Sequence, residues 1–146
     1  MDINNQDLQF ANYEVSVKLK ELGFDEASPA FYTEEGRGLA YQMCSGLNGA
    51  TNLFVGNHYT VAPLIQQVRM FLMLEYHVNL SVDLITGVDN ILPYFEINYR
   101  GGGMNRVGIL FYDAKSNNIR EEYYEAINKS FEVILEDIEQ DKIKKV

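Results

Sequence analysis

Few side chains in this sequence can do acid–base, nucleophilic or metal chemistry, and their spacing narrows the choice further. The chain has two histidines, His58 and His77, and one cysteine, Cys44. A metal site needs at least three converging ligands. Carboxylates would have to complete it, and no Asp-x-Asp-x-Asp loop is present to supply them. No metal and no cofactor is therefore expected. Cys44 has no partner for a disulfide within the chain, and it reads as a small interior hydrophobe rather than a nucleophile. The segment "RGGGMNRVG" offers different chemistry. Arg100 and Arg106 flank Gly101, Gly102 and Gly103, so guanidinium groups and unshielded backbone amides could meet a small anionic ligand. The segment lacks the lysine and spacing of a phosphate loop and precedes a strand rather than a helix. It reads first as a hairpin turn, and second as a flexible anion-receptive flap.

His58 and His77 open the triplets "HYT" (58–60) and "HVN" (77–79). These resemble the paired motifs of the two-histidine phosphoesterases, in which two imidazoles serve as acid and base across a phosphodiester. The resemblance implies a small hydrolase with His58 and His77 as its candidate catalytic residues. Asn79 stands where that family carries a hydroxyl. One long helical segment also separates the triplets here, whereas the family sets each motif on a strand of a duplicated fold. The competing reading of His77 is electrostatic: an imidazole at the negative end of a helix.

Leu8, Ala11, Val15, Leu19 and Leu22 recur at helical spacing, with Gly23 as C-cap and Phe24 placed to fold back on the last turn. "AFYTEEGRGLAYQMC" reads as a β-hairpin with its loop at Glu34 to Gly38. "SGLNGATN" reads as loop, and "LFV" after it as a short strand. Thr60 is the candidate N-cap of a second helix, with Pro63 in its first turn. Leu64, Ile65, Val68, Phe71, Leu72 and Tyr76 form that helix's apolar face, and Met70, Met73 and Leu74 lie beyond it. The run is too short to span a bilayer and carries Arg69 and Glu75 internally. Alternation of apolar and polar residues in "VNLSVDLIT", "YFEINYR" and "RVGILFYD" predicts an antiparallel three-stranded meander. Asn118 and Glu121 open the last helix as a capping box. Tyr124, Ile127, Phe131, Ile134, Leu135 and Ile138 line its buried face, and Glu121, Glu125, Glu132, Glu136 and Glu139 its solvated one. Lys142, Lys144 and Lys145 suit its negative end. The expected fold class is α+β, a single domain over residues 1–146 with a hairpin and a meander packed by three helices.

"LKELGFDEASPAFY" and "YTVAPLIQQVRMFLMLEYHVNLSV" resemble a family of small uncharacterised proteins of Bacteroidota and their phages. The similarity runs over Lys20 to Glu26, Ala62 to Val82 and Glu122 to Ile138. The second helix of that family usually reads tryptophan-phenylalanine-arginine-glutamate-lysine, where this chain has Met70, Phe71, Leu72, Met73 and Leu74. The resemblance implies no activity for any residue.

A net charge of −9 argues against a broad phosphate-binding surface, so direct nucleic-acid binding is not expected. An acidic nucleic-acid mimic is a third reading. The ten tyrosines mostly suit strands, although Tyr59, Tyr94 and Tyr112 could line a recognition surface. "MDINNQDLQF" has no secretory pattern, so the expectation is a cytoplasmic protein of a bacterial host cell with no membrane association. Together these features favour a non-enzymatic binding or accessory protein of phage or mobile-element type. It would hold a protein partner or a small anionic ligand, and its unusually apolar second helix points to a homo-oligomer.

Overall fold

Helix α1 (Tyr13–Glu21) starts where Asn12 turns its side chain back onto the backbone. Its Oδ1 accepts the Val15 amide at 2.9 Å, filling one of the donors that a helix start leaves open. Periodicity from Leu8 placed the start earlier. Leu8 instead lies in a 3-10 turn (Asp7–Gln9), Phe10 forms a bridge with Leu64, and the Ala11 amide donates to the Pro63 carbonyl at 2.8 Å. Backbone groups bonded to a distant segment cannot also join a helical ladder, so the helix waits for Asn12. Its end follows the pattern read from the sequence. Gly23 has φ 87°, its amide bonds to the Lys20 carbonyl, and the Phe24 amide reaches the Leu19 carbonyl at 2.9 Å. These two bonds make a Schellman motif, and they deliver Phe24 into the interior.

The computed structural model describes residues 7–33, 39–41, 49, 51–56, 58–86, 93–100, 107–113 and 118–146. The chain forms two compact units, residues 1–68 and 69–146. The fold class is α+β with antiparallel sheets, as the hydrophobic patterns predicted.

In the first unit, β1 (Ala30–Thr33) and β2 (Leu39–Tyr41) form the expected hairpin, with Ala30 opposite Tyr41 and Tyr32 opposite Leu39. Its loop at 34–38 lies outside the described residues, as does most of "SGLNGATN". An unforeseen third strand, β3 (Tyr59–Val61), pairs antiparallel with β1 and gives the order β2-β1-β3. Phe10, Ala30, Tyr32 and Ala62 form a buried cluster, with Tyr13, Leu39 and Leu64 against it.

Two expectations fail at β3. The run expected as a strand at "LFV" is the short helix α2 (Asn52–Val55). The buried Asn52 side chain explains the difference: its Nδ2 donates to the Phe24 carbonyl at 2.7 Å and its Oδ1 accepts the Val61 amide at 2.9 Å. That bond holds α2 beside β3 rather than in the sheet. Thr60 is a buried strand residue and not a helix cap. Helix α3 (Ile65–Tyr76) begins after Leu64, whose amide donates to Gln67 Oε1 at 2.9 Å. This is the return half of a capping box without its usual first residue, and it leaves Pro63 before the helix. Lys20 Nζ fastens α1 to the connection between α2 and β3, donating to the carbonyls of Gly56 and Tyr59 at 2.6 Å each.

In the second unit, β4 (Asn79–Ile85), β5 (Tyr94–Arg100) and β6 (Val107–Asp113) form the expected meander in the order β4-β5-β6. Leu80 faces Tyr99 and Val82 faces Ile97 across the first pair. Phe95, Ile97 and Tyr99 are buried while their neighbours are not. On the edge strand β4 the inward face fades: Leu80 is buried, Val82 half-buried, and Leu84 exposed. Helix α4 (Ile119–Glu139) opens at Asn118, whose Oδ1 accepts the Glu121 amide at 3.3 Å. Ile127, Phe131, Ile134 and Leu135 are fully buried along it. The Tyr123 ring stands edge-on to Phe95 of β5, with centroids 5.9 Å apart. The glutamates 125, 136 and 139 are exposed, as a solvated face requires. The terminal lysines lie beyond the last helical turn rather than within it. No helix among the described residues is long and apolar enough to cross a membrane.

Val68, Leu72 and Tyr76 are the buried positions of α3, at steps of four, which matches the register read from the sequence. Truncation of Leu72→Ala removes a side chain that is 1% exposed, and a stability loss of about 2–5 kcal/mol is expected in denaturant titration.

Candidate functional site

The opposite side of α3 exposes three large apolar side chains. Met70, Met73 and Leu74 are 39%, 44% and 62% exposed. Their i, i+3, i+4 spacing places them on one stripe of the helix. The helix is therefore apolar on two sides but buried on only one.

A second feature forms where α3 and α4 end. Asp141 adopts φ 58°, and the amides of Lys142 and Ile143 both bond to the Asp137 carbonyl, at 2.8 and 3.2 Å. The turn buries Ile143 and sends the following residues along the last turn of α3. There the Val146 amide donates to the Glu75 carbonyl at 2.9 Å, and Lys145 Nζ lies 3.2 Å from Glu75 Oε2. Between these segments lies an open cleft of about 470 Å³ lined by Tyr76, Ile138, Asp141, Ile143, Lys144 and Lys145. Tyr76, Ile138 and Ile143 are buried beneath it, whereas Asp141, Lys144 and Lys145 are exposed at the rim. Burial pushes the Tyr76 phenol above its ordinary pKa; Lys145 opposes that shift and Glu75 adds to it.

His58 lies in the first unit, in the turn before β3, and His77 in the second, directly after α3 with φ 51°. Both side chains are exposed. Arg100 is exposed at the end of β5, opposite Asn79 on one side and Val107 on the other. Gly101, Gly102, Gly103 and Arg106 lie outside the described residues, and so does Cys44. Of the tyrosines considered for recognition, Tyr59 is exposed and stands edge-on to Phe31 at 5.4 Å, while Tyr94 is half-buried. Among the described residues, no group of three or more histidines, cysteines and carboxylates is placed to hold a metal ion.

Sequence reasoning missed the cleft altogether. The available signal was "DKIKK", residues 141–145, where a single isoleucine stands among charges just after a long helix. Read only as a helix-dipole partner, that lysine cluster hid the role of Ile143 as an anchor. No family model, no curated protein and no solved structure matches this chain.

Because burial raises the folded-state pKa of Tyr76, the unfolded chain releases that proton first. The stability contributed by the neutral phenol is complete below the ordinary value of 10.0 and is lost as pH rises from there through the folded-state value. Urea titrations at successive alkaline pH values should show wild type losing stability relative to Tyr76→Phe, which retains the ring but cannot ionise.

Proposed function

We propose that this chain is a non-enzymatic binding protein that works through protein–protein contact, and that the exposed stripe of α3 is its contact surface. The observation that carries this reading is the exposure of Met70, Met73 and Leu74 on a helix whose other side is already buried. Contiguous apolar surface of this kind marks interaction sites, and methionine adapts its shape to the surface that it meets. The first partner is a second copy of the chain, giving a homo-oligomer. The reading extends to an accessory role in the cytoplasm of a bacterial host, of the kind suggested by the resemblance to proteins of Bacteroidota and their phages. No geometric observation favours the hydrolase alternative built on His58 and His77.

Static light scattering of the full chain at high micromolar concentration should report a mass above that of the 146-residue monomer. Leu74→Lys, which adds a charge at a position 62% exposed, should return the mass to that of a monomer while changing stability by less than about 0.5 kcal/mol. A wild-type monomer under the same conditions would overturn the oligomer.

A further inference from the structure

The cleft at the ends of α3 and α4 has a charge pattern that the contact surface does not use. Three charged side chains lie on its rim, but one is already engaged, since Lys145 pairs with Glu75 at 3.2 Å. Lys142, next to the rim, pairs with Asp137 at 3.8 Å. Two charges remain without an ion pair among the described residues: the carboxylate of Asp141 and the ammonium of Lys144. Beneath them lie the buried side chains of Tyr76, Ile138 and Ile143. The volume of about 470 Å³ falls within the range of small-molecule sites.

We infer that this cleft binds a zwitterionic small molecule with an apolar body, the class to which free amino acids with large side chains belong. The ligand's ammonium meets Asp141, its carboxylate meets Lys144, and its apolar body lies on the Tyr76–Ile138–Ile143 floor. An ion of either sign alone would satisfy one rim group and meet like charge at the other. A neutral apolar molecule would leave both unused. Asp141 and Lys144 are fixed three residues apart by the turn after α4, whose bonds to the Asp137 carbonyl hold the backbone between them.

The test is calorimetric titration of the full chain with L-tryptophan, with indole-3-propionate, which lacks the ammonium, and with tryptamine, which lacks the carboxylate. L-tryptophan should bind saturably and more tightly than either analogue. Exposed ion contacts are weak, so each rim substitution should reduce its affinity by about fivefold. The two variants should also separate the analogues. Asp141→Asn, which suits a positive-φ position, should weaken tryptamine and spare indole-3-propionate. Lys144→Met should do the reverse. Leu74→Lys should leave all three unchanged, which separates this site from the α3 contact surface. Absence of L-tryptophan binding at millimolar concentration would overturn the inference. So would equal affinity for all three probes, or loss of binding in Arg100→Ala but not in the rim variants.

Discussion

The second unit is organised around one buried carboxylate. Asp137 lies near the end of α4 on its inner side, where Oδ2 accepts the Tyr99 hydroxyl at 2.9 Å and Oδ1 faces Lys142 at 3.8 Å. A carboxylate removed from water must be hydrogen-bonded, and the donor here comes from the central strand β5. That contact fixes the axial position of the helix on the sheet, a position that apolar packing alone would define less sharply. The same residue's carbonyl then gathers the amides of Lys142 and Ile143, so one position sets both where α4 sits and how the chain leaves it. The cleft floor and the course of the segment beside α3 follow from that exit.

The first unit is held by a different device, backbone groups bonded to side-chain amides and hydroxyls. Asn52 joins Phe24 to Val61, Ser28 Oγ donates to the Ala62 carbonyl at 2.6 Å, and the Tyr32 hydroxyl donates to the Ala11 carbonyl at 2.7 Å. Gln67 both receives the Leu64 amide and donates to the Ala27 carbonyl at 2.8 Å. Such bonds tie irregular segments that regular ladders cannot reach.

This contrast explains what was legible in the sequence. The meander, the α4 capping box, the Gly23–Phe24 helix end and the α3 register depend on local periodicity and capping, which a reader of one sequence can see. The late start of α1, the replacement of a strand by α2 and the transfer of Thr60 into β3 depend on bonds between residues far apart in the chain. Asn52 gives no sign in the sequence that its amide will bridge positions 24 and 61. The candidate site divides in the same way. The surplus apolar surface of α3 was visible as Met70, Met73 and Leu74, because helical spacing alone separates them from Leu72 and Tyr76. The cleft was not, because it needs a turn geometry set by Asp141 and a salt bridge between residues 75 and 145. The exposed end of β4 at Leu84 also departs from its alternating pattern, since alternation gives facing but not cover.

Gly49 shows how unevenly this chain can diverge over evolutionary time. Its φ of 109° belongs to glycine, and a Cβ there would fall 2.2 Å from the Ser28 carbonyl oxygen and 2.8 Å from the Pro29 nitrogen. Both obstacles are main-chain atoms, and the Ser28 side chain is itself bonded to Ala62 beside β3. No neighbouring side chain can therefore mutate to make room. In a lineage descended from this chain, position 49 should stay glycine while exposed residues such as Leu53 drift. It would be a fixed point by which distant members of the lineage could be aligned.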